Sequence, residues 1–270
     1  MPSALFAEHG GLNTNFMPGE GFMVKVGIIG GSGMDDPEIV DDATRITVKT
    51  PYGDPSSPLT CGRIKGVEVV ILARHGHGHC ITPSQVNNRA NIMALKDLGV
   101  TAILATTACG SLKQEIHRGD LVILDQFIDF TRLRKNTFHD SFENGMVHAP
   151  MADPFDPDLR QLLFDTAVAQ KARVHQRGTV VTIEGPRFST RAESKMFRLW
   201  GGDVINMSIA PEAALAREAA IPYGVVAMST DYDCWNEDEA PVSWEEVLKV
   251  FNNNAERVKA LLIAAVAALK

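Results

Sequence analysis

The segment Val24-Lys25-Val26-Gly27-Ile28-Ile29-Gly30-Gly31-Ser32-Gly33 decides the fold class. Its first part is a short apolar run rich in β-branched residues, the pattern of a strand covered on both faces, and its glycines then stop the strand in a turn. The pattern recurs. Val67–Ala73 is a second such run, halted by Arg74-His75-Gly76, and residues 102–105, 121–124, 179–183 and 223–228 are further short apolar stretches. Helical periodicity fills the intervals at residues 84–98, 158–171, 190–200 and 211–219. A last helix opens with a capping box, Ser243 to Glu246, and carries Val247, Leu248, Phe251, Ala255, Val258, Leu261 and Leu262 along one side. Strands interleaved with helices predict an α/β sheet in one domain over residues 23–270. Residues 1–22 lack periodicity and read as a loose N-terminal extension, with Met23 directly before the first strand.

Composition narrows the function. The chain has 270 residues, 45 % hydrophobic and 22 % charged, with a formal net charge of −7. An acidic protein without a basic stripe is a poor partner for nucleic acid, so an anionic ligand must be met by local donors. Cys61, Cys80, Cys109 and Cys234 show neither metal-ligand nor redox spacing, which points to reduced thiols. No stretch approaches the roughly 20 apolar residues of a membrane helix, and no secretory leader pattern precedes the first strand. A cytoplasmic protein away from membranes is expected.

Five segments carry candidate chemistry. Gly30 to Gly33 lets backbone amides approach an anion, with Ser32 adding a hydroxyl, although it is neither a dinucleotide fingerprint nor a P-loop. Arg74-His75-Gly76-His77-Gly78-His79 fits either a phosphate clamp or the Arg-His-Gly of histidine phosphatases with His75 as nucleophile. Strand alternation would put the three histidines on one face without a supporting carboxylate cluster, so no metal is expected. Thr106 to Ser111 reads as a third donor loop at a strand end, and convergence of three such ends makes one phosphate-sized site. In Glu184 to Glu193, Phe188 is suited to stack on a flat base or to pack in the core, and Ser189 or Thr190 to cap the next helix. In Ser229 to Trp235, Asp231 and Asp233 stand at i and i+2 on an extended segment, where both can address one polar edge such as that of a purine. Residues 130–157, with His139 and His148, read as a long functional loop.

Taken together and in order, the glycine loop, Arg-His-Gly, TTACGSL, DQFIDFT, EGPRFSTRAE, DVINMS and TDYDCW resemble the 5'-methylthioadenosine phosphorylases of the nucleoside phosphorylase superfamily, over residues 26–259. The resemblance implies a mixed central β-sheet flanked by α-helices. It implies a phosphate site of Ser32, Arg74, His75, Thr107, the Ala108 amide and Ser208, the two serines standing where relatives often have threonine. It further implies Phe188 and Met207 at base and ribose, Asp231 and Asp233 at the base edge, and Val242, Val247 and Phe251 around a methylthio group. Relatives are homotrimers, or dimers of such trimers, and a neighbouring subunit closes each site, so His79 and His148 are expected to act across that interface. Inorganic phosphate is then a co-substrate and no cofactor is needed. An oxopurine-nucleoside phosphorylase is the nearest alternative, but its relatives commonly carry asparagine in the segment that holds Asp231, and a carboxylate suits the donor amino group of adenine better. A histidine phosphatase and a non-catalytic nucleoside binder are the remote alternatives.

Overall fold

The computed structural model describes residues 24–30, 39–143, 145–238 and 243–270, without the side chains at 244, 246, 248, 251 and 253. Ser32, Val242 and the extension at 1–22 lie outside the described residues, as does the side chain of Phe251. The described strands are β1 (Lys25–Gly30), β2 (Asp41–Ile46), β3 (Leu59–Ile64), β4 (Val67–Ala73), β5 (Ala102–Ser111), β6 (Leu121–Ile123), β7 (Gln126–Phe130), β8 (Val174–His175), β9 (Thr179–Ile183), β10 (Val204–Asn206) and β11 (Tyr223–Asp231). The helices are α1 (Asn88–Asp97), α2 (Pro157–Ala169), α3 (Arg191–Leu199), α4 (Ile209–Glu218) and α5 (Trp244–Ala268). All strands join one mixed sheet.

Alternation along the central strands produces two cores. Ile29, Val70, Leu72, Ile103, Ala105, Val225 and Ala227 face α1 and α4, whereas Val26, Ile28, Val69, Ile71, Ala102, Leu104, Val226 and Met228 face α2 and α5. Both faces are apolar, so these strands show no polar-apolar alternation in sequence. The Glu246 side chain of the capping box expected for the last helix lies outside the described residues, and Val247 N–H donates to the Ser243 carbonyl at 3.1 Å.

Strand β5 positions the site. Its first residues pair in parallel with β1 (Val26 with Ala102, Ile29 with Ala105), and its other edge pairs in parallel with β11 from Tyr223 to Asp231. β1 ends at Gly30 while β5 continues, and at Gly110 and Ser111 the vacated edge is taken by antiparallel β10. The sheet therefore divides along β5, and a crevice opens at the carboxyl ends of β1 and β4, where open α/β sheets bind ligands.

Four expectations need correction. Thr106 to Ser111 is not a loop after a strand but the second half of β5, and Ser229 to Asp231 likewise belongs to β11. β5 and β11 pair with each other along this stretch, and several of the hydroxyls find partners: Ser111 donates to the Lys113 carbonyl, Thr230 to the Cys109 carbonyl, and Thr107 lies 3.4 Å from Ser208 Oγ. The helix expected from residue 84 starts at Asn88, since Pro83–Gln85 forms a short 3-10 turn and Asn87 caps α1 by accepting from Ala90 N–H. Histidines 75, 77 and 79 do not alternate along a strand, because β4 stops at Ala73 and the chain turns through Gly76 (φ 73°) and Gly78 (φ 72°). Asp233 is not on extended backbone either: its φ is 48°, and its N–H donates 2.8 Å to Asp231 Oδ2 in a side-chain-closed turn.

Candidate active site

One cavity of about 430 Å3 opens at the division of the sheet, within the range that holds a nucleoside-sized ligand. Its lining brings together Arg74, His75, His79, Thr107, Ala108, Phe188, Met207, Ser208, Asp231, Asp233 and Val247 from the residues expected to act. His148 is not among them: it sits exposed in the irregular stretch after β7, with its ring 5.5 Å from that of Phe142.

Arg74 follows β4 directly and is 2 % exposed. Its Nε donates 2.5 Å to Glu212 Oε1 and its Nη2 donates 3.0 Å to Glu212 Oε2, while Nη1 donates 2.8 Å to the Thr106 carbonyl. The hydroxyl of Tyr223 donates 2.7 Å to the same Glu212 carboxylate. A guanidinium has five N–H groups, so one on each terminal nitrogen is left for a ligand. His75 lies beside it with Nδ1 2.9 Å from the Ile81 carbonyl. A carbonyl only accepts, so Nδ1 carries the proton and a neutral ring presents bare Nε2. Burial, then the charge of Arg74, lowers the His75 pKa to about 4, so the ring is neutral at pH 7. His79 stacks on it with centroids 4.3 Å apart.

The hydroxyl side of the cavity is ordered from below. Thr182 Oγ1 donates 2.8 Å to Asn206 Oδ1, which fixes the amide, and Asn206 Nδ2 then donates 3.2 Å to Thr107 Oγ1. Ser208 stands at the N-cap of α4, yet its side chain makes no capping bond and lies 3.4 Å from Thr107 Oγ1. Two hydroxyls at a helix N-terminus thus face the cavity, where the helix dipole favours an anion.

Across β1 and β5 from Arg74, β11 delivers the carboxyls. Asp231 is 8 % exposed and accepts from the Thr230 hydroxyl at 2.7 Å. Burial raises its pKa to about 6, against the opposing hydrogen bonds of Thr230 and the Asp233 amide. Burial raises Asp233 as well. The following turn is pinned to β5 and α3: Trp235 Nε1 donates 2.8 Å to the Ser111 carbonyl, and the Arg198 guanidinium lies 3.5 Å from its ring centroid. Phe188 is 39 % exposed at the cavity rather than packed in the core, and Thr190, not Ser189, caps α3 in a reciprocal box with Glu193. Val247, on the first turns of α5, borders the same space.

Residues not anticipated from sequence complete the frame. Besides Glu212, Tyr223, Asn206 and Thr182, Arg134 joins the long irregular stretch to the cavity by donating 2.8 Å to Glu184 Oε1 and 3.1 Å to the Met207 carbonyl. Gly185 (φ 66°) lets Met207 pass, since a Cβ there would stand 2.5 Å from its sulfur. A signal for Glu212 does exist in the sequence. It is the lone acid in Ile209-Ala210-Pro211-Glu212-Ala213-Ala214-Leu215, and a charge in a buried apolar helix requires a buried partner.

A nucleoside-sized cavity between anion donors and raised carboxyls, on a divided mixed sheet, agrees with the comparison to known families. The chain belongs to the phosphorylase superfamily, whose sequence model matches residues 25–267. It is 52 % identical over 246 residues, covering 90 % of this chain and 88 % of the relative, to the S-methyl-5'-thioadenosine phosphorylase of Danio rerio. Among solved structures it resembles the methylthioadenosine phosphorylase of Schistosoma mansoni in complex with adenine (TM-score 0.86, 45 % identity, 91 % of this chain and 92 % of that one). A point mutant of that adenosine/methylthioadenosine phosphorylase in complex with methylthioadenosine gives TM-score 0.85 at 44 % identity, covering 91 % of both chains.

Proposed function

We propose that the chain cleaves S-methyl-5'-thioadenosine with inorganic phosphate, giving adenine and 5-methylthioribose 1-phosphate. The observation that carries this is the pairing within one cavity of an anion-donor set (Arg74, Thr107, Ser208) with two buried carboxyls of raised pKa (Asp231, Asp233). Cleaving an N-glycosidic bond builds positive charge on the ribose and negative charge on the departing purine, and this arrangement answers both. A phosphate oxygen forms a bond to the anomeric carbon as the bond to purine N9 breaks. The electron pair passes into the purine, and protonated Asp231 supplies N7 with a proton while Asp233 accepts from the amino group. Arg74 holds the phosphate on its line of attack. No covalent enzyme intermediate, metal or organic cofactor enters this scheme.

Phe188 and Met207 serve base and ribose in this reading, and Val247, with Val242 and Phe251, serves the methylthio group. The His75 ring, being neutral, faces phosphate as an acceptor through Nε2, and Ser32 adds its hydroxyl. Leu133, Phe142, Met146 and Val147 are exposed in the stretch that carries His148, which supports a homotrimer in which a neighbour covers this face and His79 and His148 meet across it. No described helix is long and apolar enough to cross a membrane, in keeping with a cytoplasmic enzyme.

Enzyme with methylthioadenosine in phosphate buffer should yield adenine and the sugar phosphate in equal amounts, and neither product in phosphate-free buffer. Release of free 5-methylthioribose without phosphate would instead indicate hydrolysis. A second prediction concerns Gly110, where an added Cβ would stand 2.9 Å from Asp231 Oδ2. Gly110→Ala should displace that carboxyl and lower kcat by about ten- to a hundred-fold, with KM for phosphate unchanged in steady-state assays.

A further inference from the structure

Arg74 poses a physical question, because a cation in an anion site ordinarily acts through its charge, and here the charge is cancelled. Glu212 is fully buried, grips Nε and Nη2 of Arg74 side-on, and is held by the Tyr223 hydroxyl. The second arginine near the anion site, Arg134, is likewise matched, by Glu184 at 2.8 Å. His75 is kept neutral chiefly by burial. Among the described residues no lysine lines the cavity, and residues 31–38 and 239–242 contain no lysine, arginine or histidine. Among the described residues, the donor end of the site therefore offers directed N–H and O–H groups without net positive charge.

We propose that Glu212 neutralises Arg74 so that bound phosphate is oriented by hydrogen bonds yet keeps its own negative charge for the ribosyl carbon. The inference rests on the phosphorolysis reading. An uncompensated guanidinium would bind ground-state phosphate tightly and withdraw electron density from the attacking oxygen, which is binding without acceleration. With the pair neutral, the anion's charge acts on the oxocarbenium character that exists only in the transition state. Glu212 is thus a positioning residue that works through Arg74. A purely structural role makes the opposite prediction, since loosening Arg74 would weaken phosphate binding.

Glu212→Gln keeps the shape and an amide oxygen for Nε while removing the charge. Removing an opposite charge at this range shifts equilibria by about tenfold or more, so KM for phosphate should fall about tenfold and kcat should fall by a similar factor. Saturating phosphate should also raise the variant's melting temperature more than it raises that of the wild type. A KM for phosphate that is unchanged or higher overturns the proposal, as does a lower KM with undiminished kcat. Should the variant not fold, 31P NMR of phosphate bound to the wild type decides. A second ionisation at or above its value in free solution is expected, and one below that value overturns the proposal. Wild-type enzyme releasing no adenine from methylthioadenosine plus phosphate would strike the phosphorolysis reading and the proposal with it, whereas the outcomes for Glu212→Gln above bear on Glu212 alone.

Discussion

Asp231→Asn is expected to lower kcat on methylthioadenosine by about two to three orders of magnitude, with KM for phosphate within about twofold of wild type. The carboxyl is the group placed to protonate the leaving base, and burial has moved its pKa from the ordinary 3.8 to about 6, near the working pH. The acid form is depleted as pH rises through this value, so the wild-type rate in the free enzyme should decline on the alkaline side, and the asparagine variant should lack that limb. The same shift affects stability. Because the folded carboxyl binds its proton more tightly than the unfolded one, stability is lost as pH climbs from about 4 to about 6 and is not regained above it, by up to about 3 kcal/mol. Asparagine removes that penalty but leaves either the Thr230 hydroxyl or the Asp233 amide facing an N–H, at a cost of about 1–3 kcal/mol. The melting temperature of the variant relative to wild type should therefore rise between pH 4 and pH 8. A pH-independent difference would show that Asp231 titrates normally in the folded chain.

Arg74→Ala should be the most destabilising single change at the site. It strands the Glu212 carboxylate, which is fully buried, and breaking such a pair from one side costs about 3–5 kcal/mol. In a chain of this size that corresponds to a fall in melting temperature on the order of 10 °C. Phosphate saturation should vanish in the same variant, because the two remaining guanidinium N–H groups go with it. Adding Glu212→Gln to Arg74→Ala should recover part of the lost stability, since the stranded charge is then gone. Equal melting temperatures for the single and double variants would mean that Glu212 takes up a proton when its partner is removed. Thermal melts across phosphate concentrations measure both effects.

Legibility of the fold followed burial. Val67–Ala73 and Thr179–Ile183 were readable to the residue because both are apolar and end at turn signals. By contrast, all six residues of β2, Asp41–Ile46, are exposed, so no hydrophobic period marks it, and β10 is only three residues long. The second half of β5 reads as a loop in sequence because Thr106, Thr107 and Ser111 are residue types common in loops. They are buried strand residues, with the Ser111 hydroxyl donating to the Lys113 carbonyl and that of Thr107 lying 3.4 Å from Ser208 Oγ. At the site, most residues that touch the cavity belong to a motif visible in sequence, whereas Cys80, Ile81, Thr82, Pro83 and Ile183 do not. The supporting groups were hidden because their roles depend on register. Asn206 matters because β10 lies beside β5, and Glu212 because α4 sets it against Arg74, the residue after β4. Their residue types announced a buried polar group but not its partner.

Parallel initial rates on methylthioadenosine, methylthioinosine and inosine, each with saturating phosphate, test the central claim most directly. The arrangement of Asp231, Asp233 and the apolar start of α5 predicts that methylthioadenosine is turned over fastest, that methylthioinosine is slowed by its acceptor at the 6-position, and that inosine is slowest because it also lacks the methylthio group. Faster release of hypoxanthine from inosine than of adenine from methylthioadenosine would contradict this assignment.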